Sequence, residues 1–234
     1  MYKHFFKRLI DLIFSFLAIV LLALPMIVIA VAIKIDDPGP VLFKQKRVGK
    51  KKNGEITYFM IWKFRSMKMS TPRDIPTHLL ENPEQYITKV GKFIRKTSLD
   101  ELPQIYQVFT SRLSIIGPRP ALWSQDDLIA EREKYGANDI KPGITGWAQV
   151  NGRDELEIDV KARFDGEYAK ALNSGKFKGF AMDVKCFFAT IISVLKSDGV
   201  VEGGTGEMRK RKEENLEDLS KNVEIEVKKE TQNN

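Results

Sequence analysis

The chain has 234 residues, 43% of them hydrophobic, and a formal net charge of +7, which fits one domain with or without an added segment. The positive charge favours anionic partners: nucleic acid, a membrane surface or phosphorylated small molecules. A single cysteine, Cys186, excludes an internal disulfide and suits a reducing compartment, and two histidines far apart in sequence, His4 and His78, exclude a zinc-type ligand cluster, so any metal should be a hard cation.

The N-terminal apolar run, residues 12–33, contains no charge, which favours a membrane over nucleic acid as the anionic partner. As a helix these residues measure ~33 Å, enough to cross ~30 Å of hydrocarbon. The run is long for a signal peptide, and no small-residue cleavage site follows it. A plain transmembrane anchor is the simplest interpretation. Pro25 near the centre and basic residues on both flanks instead favour a re-entrant helix, broken at the proline, with both ends cytoplasmic.

Two runs rich in β-formers, residues 41–48 and 55–64, flank a turn-like segment and predict a β-hairpin. At its end, Lys63 and Arg65 alternate with apolar residues, which suits a surface against lipid headgroups. A solvated hairpin edge explains the same cations about as well.

The next two segments predict a loop and a helix. Residues 70–83 hold three prolines and predict a mobile loop. Residues 84–96 predict a helix with Ile87, Val90 and Ile94 on one face.

Two adjacent carboxylates, Asp100 and Glu101, stand at the start of a helix predicted over residues 101–110. Ser98 and Glu101 have the spacing of a capping box, in which both side chains only satisfy backbone N–H groups. A helix N-terminus also stabilises a carboxylate and accepts phosphate oxygens, so the same residues could carry chemistry. The cations available to offset phosphate charge are Arg95, Lys63 and Arg65. The predicted apolar face of the helix consists of Leu102, Ile105, Tyr106 and Phe109.

Two Gly/Pro-rich loops follow, residues 117–120 with Arg119 and residues 142–153 with Arg153. Loops of this composition can direct backbone amides and guanidinium groups at an anion. Tight turns with exposed arginines explain each loop equally well.

The C-terminal third predicts packing elements and a tail. A strongly apolar helix over residues 183–196 could belong to the core or lie in a membrane interface. Beyond residue 206 the composition becomes charged with almost no aromatics, which predicts a disordered or solvated, dispensable tail.

From about residue 3 to 206, the chain resembles the bacterial sugar transferases, the monotopic polyprenol-phosphate phosphoglycosyl transferases. The resemblance rests on ordered motifs spread over most of the chain. They are Lys7-Arg8 with Asp11, the broken membrane helix, the Gly-Pro motif of 39–49, and residues 63–67, 97–104, 117–120 and 142–147.

The resemblance implies that Asp100 is the nucleophile and Glu101 its partner, with Mg²⁺ at the Asp100 carboxylate and the substrate pyrophosphate. It implies a nucleoside diphosphate sugar and polyprenol phosphate as substrates, at the cytoplasmic face of the bacterial inner membrane. It implies no nucleic acid as a partner, and the chain could form a homodimer. The resemblance also implies a structural role for Asp165 and Tyr168. The chain departs from the family pattern at Ser111-Arg112, where Gly-Asp is usual, and at Leu24-Pro25, where Ser-Pro is common.

The expected architecture is therefore an α+β, predominantly helical, monotopic membrane protein. Residues 1–40 form the membrane-inserted segment, 41–206 a small cytoplasmic catalytic domain and 207–234 a charged tail. Two other function classes remain open from the residues alone: a nucleotide-sugar pyrophosphate hydrolase using the same acidic pair, and a non-catalytic scaffold that binds anionic lipid.

Overall fold

The chain is mostly helical with two small sheets, and the computed structural model describes residues 2–71, 82–152, 156–174 and 177–195. The helices are α1 Lys7–Asp36, α2 Lys89–Lys96, α3 Gln104–Phe109, α4 Asp126–Glu133, α5 Trp147–Val150, α6 Ile158–Asn173 and α7 Lys178–Leu195. The strands are β1 Leu42–Val48, β2 Tyr58–Phe64, β3 Ser114–Ile116 and β4 Gly143–Thr145. Short helical turns occupy Tyr2–Phe6, Pro83–Tyr86, Leu99–Glu101 and Ala137–Asp139. The predicted tail, residues 72–81 of the loop predicted over 70–83, and Arg153 lie outside the described residues.

Helix α1 is the one helix, among the described residues, that is long and apolar enough to cross a membrane. It continues through Pro25, so the break predicted there is not seen, and the re-entrant path stays a prediction. The helix ends where Asp37 turns to an extended conformation, because the following proline disfavours helical backbone at the residue before it. Most of its apolar side chains are exposed. Its buried residues fall into two groups, one near each end: Lys7, Asp11 and Ser15, then Met26, Ile29 and Ile33.

The predicted hairpin is confirmed. Strands β1 and β2 pair antiparallel, with Leu42 opposite Phe64 and Val48 opposite Tyr58. The second strand begins three residues later than predicted. Asn53 and Gly54 both have positive φ, as type I′ hairpin turns require, and this turn pairs Lys52 with Glu55 before the main ladder starts.

Helix α2 starts at Lys89, five residues later than predicted. The preceding residues form the separate turn Pro83–Tyr86, and Ile87 is extended. The Thr88 hydroxyl then caps the helix by accepting a hydrogen bond from the Gly91 amide at 2.9 Å. The predicted inward face is confirmed at Ile94, which is fully buried.

The predicted apolar face of the helix over 101–110 is wrong at Tyr106 and Phe109, whereas half-buried Leu102 packs against the core cluster of Phe64 and Ile94. Helix α3 begins only at Gln104, Tyr106 and Phe109 are exposed, and the fully buried positions are Gln104, Gln107 and Val108. Gln107 points inward because backbone groups on the unpaired edge of β2 need hydrogen-bond partners. The Gln107 amide accepts from the Trp62 amide nitrogen at 2.9 Å and donates to the Met60 carbonyl at 2.6 Å.

Of the two Gly/Pro-rich segments predicted as loops, residues 142–153 contribute strand β4, which pairs in parallel with β3, the strand just before the other segment at 117–120. Ser114 of β3 is opposite Gly143 of β4, and the Gly117 amide continues the pairing by donating to Thr145 at 2.8 Å. A Cβ added to Gly143 would lie 2.2 Å from the Gly117 nitrogen, so this close backbone approach requires glycine.

Helices α6 and α7 pack against this sheet. Tyr168, Leu172 and Cys186 are buried with Ile116 and Ile140. The structural role predicted for Asp165 and Tyr168 is confirmed, since both are fully buried. Helix α7 has a buried face at Cys186, and its exposed apolar residues are Phe187, Phe188, Ile191 and Ile192.

Candidate active site

Asp100 and Glu101 lie in the short turn Leu99–Glu101, between α2 and α3 and against β2. The chain enters this turn through Ser98, which adopts left-handed backbone angles and makes no side-chain capping bond. The predicted capping box is therefore wrong. The carboxylate of Glu101, which would have completed the box, instead binds cations from other parts of the chain.

Glu101 is held by two cations. Arg119 approaches it with both terminal nitrogens, Nη2 lying 2.7 Å from Oε1 and Nη1 3.3 Å from Oε2. Lys63 Nζ lies 3.0 Å from the same Oε1. The structure thus joins β2, the turn Leu99–Glu101 and the loop after β3 in one group, which we call the carboxylate cluster: Lys63, Asp100, Glu101 and Arg119.

Burial alone would raise the pKa of Glu101, but the adjacent Arg119 and Lys63 charges outweigh burial and hold that pKa well below its usual range. Glu101 is therefore ionised at neutral pH, and both of its oxygens are engaged. It is a poor candidate for a base or a nucleophile, and it is well placed to fix the two cations.

Asp100 occupies a different position in the cluster. It is buried, with 5% of its surface exposed, and its Oδ2 lies 3.9 Å from Lys63 Nζ, a longer contact than either cation makes with Glu101. A desolvated carboxylate beside a cation that is itself anchored is arranged to meet an electrophile. The geometry therefore assigns the two acids different tasks, and Asp100 is the stronger candidate for covalent chemistry.

Two other arginines predicted to bind anions, Arg95 and Arg65, hydrogen-bond to neighbouring segments of the chain. Arg95 donates from Nε to the Ser66 hydroxyl at 2.7 Å. Arg65 binds the Asp37 carboxylate and donates from Nε to the Pro40 carbonyl at 2.7 Å, which ties the end of α1 to the end of β2. Arg119 is the predicted arginine whose ion pair with Glu101 the structure shows.

Sequence reasoning missed the pair that positions Arg119. Arg132 is buried on α4, and its Nη2 lies 2.6 Å from Asp165 Oδ2 and 2.9 Å from the Arg119 carbonyl oxygen. The loop that carries Arg119 is thus fixed through its backbone. The signal in the sequence was an arginine on an inward position of an otherwise acidic helix, which is visible only once the face of α4 is known.

The residues fit Mg²⁺ only together with a phosphate ligand. No group of three or more His, Cys, Asp or Glu side chains that could hold a metal occurs among the residues the structure describes. Glu101 is occupied by cations, which leaves Asp100 as the cluster's carboxylate donor. Mg²⁺ is commonly held by one or two carboxylates plus substrate phosphates and water, so a pyrophosphate would complete such a site.

Comparison with known proteins gives the family of the chain. The model of the bacterial sugar transferase family matches residues 2–197. The chain belongs to this family. Among relatives, it is 37% identical over 198 residues to the UDP-glucose:undecaprenyl-phosphate glucose-1-phosphate transferase of Escherichia coli, covering 79% of this chain and 39% of the relative. It is 35% identical over 194 residues to the uncharacterized sugar transferase EpsL of Bacillus subtilis, covering 83% of this chain and 89% of the relative.

A third member transfers a different sugar. The UDP-N-acetylgalactosamine-undecaprenyl-phosphate N-acetylgalactosaminephosphotransferase of Aeromonas hydrophila is 36% identical over 200 residues, 83% of this chain and 45% of the relative. This chain thus spans less than half the length of two of these relatives, 39% and 45%. Their names differ in the sugar, so family membership does not fix which sugar this chain handles.

Proposed function

We propose that the protein transfers a sugar 1-phosphate from a nucleoside diphosphate sugar to undecaprenyl phosphate at the cytoplasmic face of the membrane. UDP-sugars are the first donor substrates to test. This reaction would start the assembly of a polysaccharide or glycoconjugate. The observation that carries the proposal is the carboxylate cluster, in which buried Asp100 lies beside a Lys63 that Glu101 anchors. The names of the E. coli and A. hydrophila relatives support the choice of both substrates.

In the proposed reaction, an Asp100 oxygen attacks the phosphorus that bears the sugar. A new O–P bond forms, the bond to the bridging oxygen breaks, and the nucleoside monophosphate leaves with that electron pair. A phosphate oxygen of the polyprenol phosphate then attacks the same phosphorus and displaces Asp100 as a free carboxylate. The acyl phosphate formed in the first step is a high-energy adduct, which makes the second step favourable.

Lys63 and Arg119 would stabilise charge on the phosphoryl oxygens, since Lys63 lies beside Asp100 and Arg119 is paired with the adjacent Glu101. They need no rearrangement, because Glu101 and the backbone bond from Arg132 fix them in advance. Bound Mg²⁺, held by Asp100 and the pyrophosphate, would neutralise further phosphate charge.

The test follows release of nucleoside monophosphate from a panel of UDP-sugars, with and without undecaprenyl phosphate. We expect turnover that requires the lipid, with at most one equivalent released per enzyme in its absence. Steady lipid-independent turnover would indicate the pyrophosphate hydrolase, and no release with any nucleotide sugar would indicate the scaffold. Either result would overturn the proposal.

We also propose that α1 enters and leaves the membrane on the same face. Both of its ends are held by the same body of the protein. Near the start, Asp11 accepts from the Ser114 hydroxyl at 2.8 Å and the Ile115 amide at 3.0 Å. At the end, Asp36 accepts from the Val90 amide at 2.8 Å. A helix that crossed the bilayer would carry one of these ends to the far side.

Labelling with a membrane-impermeant maleimide tests this path. Cysteines introduced as Lys3→Cys and Lys34→Cys flank the apolar run, and we expect both to stay unlabelled from outside intact cells and to react after permeabilisation. Strong labelling of either one in intact cells would establish a span. The native cysteine need not be removed, because burial raises the pKa of the Cys186 thiol to about 12 and keeps it protonated.

A further inference from the structure

A cleft of about 300 Å³ opens beside the start of α1, away from the residues of the carboxylate cluster. The segments that line it are far apart in sequence: the N-terminus, the hairpin turn, the start of β3 and the residue before Pro142. We call it the basic cleft. Its lining residues are Lys3, His4, Lys7, Arg8, Asp11, Lys50, Ser111, Ser114, Ile140, Lys141 and Leu172.

The basic cleft carries more positive charge than its surroundings neutralise. Five of its side chains are cations, and its one carboxylate, Asp11, is engaged by Ser114 and Ile115. Lys7 is paired with Asp183 at 2.7 Å. Three other cations of the cleft donate hydrogen bonds to neutral oxygens. Lys3 donates to the Asn173 amide at 2.5 Å, Lys141 to the Ser111 hydroxyl at 2.7 Å, and Arg8 to the Val108 and Phe109 carbonyls at 2.7 Å.

Burial and the nearby cations both lower the pKa of two cleft lysines, Lys3 and Lys141. Burial lowers the pKa of Lys3, Lys50 lowers it further, and Asp139 opposes them with a smaller effect. Burial lowers the pKa of Lys141 as well, with a second contribution from Arg8. Cations that destabilise one another's charged forms gain stability when an anion enters between them.

The position of the cleft identifies the source of that anion. Phe5 and Phe6, which directly follow His4, expose 58% and 43% of their surface, and the uncharged stretch of α1 begins one turn after Arg8. An apolar surface directly beside a cationic one places the cleft at the boundary between hydrocarbon and headgroups. Lipid phosphate occupies that depth.

We propose that the basic cleft binds the phosphate of an anionic phospholipid headgroup at the root of the membrane helix. The site is separate from the carboxylate cluster and does not depend on the transfer reaction. A lipid held there would fix the depth and angle at which α1 enters the bilayer.

The experiment measures binding of short-chain phosphatidylglycerol to the full chain in neutral detergent, with inorganic phosphate and short-chain phosphatidylcholine as separate arms. The variant Lys50→Gln/Lys141→Gln removes two cleft cations. The control Lys52→Gln/Lys170→Gln removes two exposed cations that do not line the cleft. We expect the cleft variant to weaken phosphatidylglycerol binding by about 30-fold, from about 1 kcal/mol per lysine, and the control to change it less than about 3-fold.

Three results would overturn the proposal. Equal binding by the cleft variant and the wild type would exclude the site. An equal loss in the control would reduce the effect to net charge. Inorganic phosphate binding as tightly as phosphatidylglycerol, with the same loss in the cleft variant, would make the cleft a free-phosphate site. Because no nucleotide sugar is present, none of these results bears on the transfer reaction, and thermal unfolding of each variant excludes misfolding.

Discussion

The carboxylate cluster and the basic cleft collect charge in opposite ways. In the cluster, two carboxylates meet two cations at 2.7 to 3.9 Å, and Glu101 neutralises its partners before any ligand arrives. In the cleft, five cations surround a single, already bonded carboxylate. A balanced cluster fixes geometry, which a reaction at a defined atom needs. A group of side chains with excess positive charge is stabilised when an anionic ligand binds, which suits a phospholipid headgroup.

The largest expected effect comes from removing the proposed nucleophile of the cluster. Asp100→Asn keeps the volume of the side chain and leaves Glu101 paired with Arg119, so the fold should persist while transfer falls by at least ~10⁴-fold. Nucleoside monophosphate release measures the loss. Asp126→Asn, at an exposed acid in the first turn of α4, should keep near-normal turnover. Substantial activity in Asp100→Asn would remove Asp100 from the reaction, whatever the cleft binds.

The next largest effect comes from unbalancing the cluster. Glu101→Gln leaves Lys63 and Arg119 without their shared carboxylate, and we expect the free energy of unfolding to fall by about 3 kcal/mol. Transfer should fall by roughly 10²-fold, because the cations lose their orientation. Glu84→Gln, at an exposed glutamate, should change neither quantity.

This loss should depend on pH with a defined sign. The folded-state pKa of Glu101 is depressed because Arg119 and Lys63 outweigh the effect of burial, so its stabilisation is fully present above the unfolded pKa of about 4.3. It is lost as pH falls from there through the lower folded pKa. Urea unfolding at successively lower pH below this value should therefore show the wild type converging on Glu101→Gln. A difference that grew with acidification would contradict the assignment.

Salt should separate the cluster from the cleft with a smaller effect. Raising ionic strength from 0.1 to 1 M shortens the screening length from roughly 10 Å to roughly 3 Å. Phosphatidylglycerol binding at the open basic cleft should weaken about fivefold or more, whereas the stability difference between wild type and Glu101→Gln should change little, because that cluster is buried. An equal salt response at both sites would mean that the cleft is as enclosed as the cluster.

The sequence predicted what local patterns determine. The hairpin followed from two runs of β-formers around a turn, and the inward face of α2 followed from spacing. The face of α3 did not, because Gln107 is buried for the sake of hydrogen bonds to β2, which lies more than 40 residues earlier in the chain. Hydrophobic periodicity considers apolar residues alone, so it does not predict a buried glutamine that hydrogen-bonds to a distant strand.

The site was predictable in part for the same reason. The adjacent acids Asp100 and Glu101 are visible in sequence, and the motif that carries Arg119 pointed to an anion. Their pairing required the fold, which also disproved the cap at Ser98. The basic cleft was not predicted at all, because Lys3, Lys50 and Lys141 are ordinary surface lysines until the chain brings them together.

The smallest effect concerns Ser111, at the rim of the basic cleft. Its φ of 67° is left-handed, and glycine, usual in the family at this position, adopts that conformation without a Cβ penalty. Ser111→Gly should raise the free energy of unfolding by about 0.5 kcal/mol, the relief of strain exceeding the loss of the hydrogen bond from Lys141. Ser111→Ala loses the same bond but keeps the strain, so it should be less stable than wild type in urea unfolding. If alanine proved as stable as glycine, backbone strain at this rim would be negligible.

The same two variants should leave lipid binding nearly unchanged. The Ser111 hydroxyl accepts a hydrogen bond from Lys141 without neutralising its charge. Both variants should therefore bind phosphatidylglycerol within about twofold of wild type, the change expected for one neutral hydrogen bond rather than a charge.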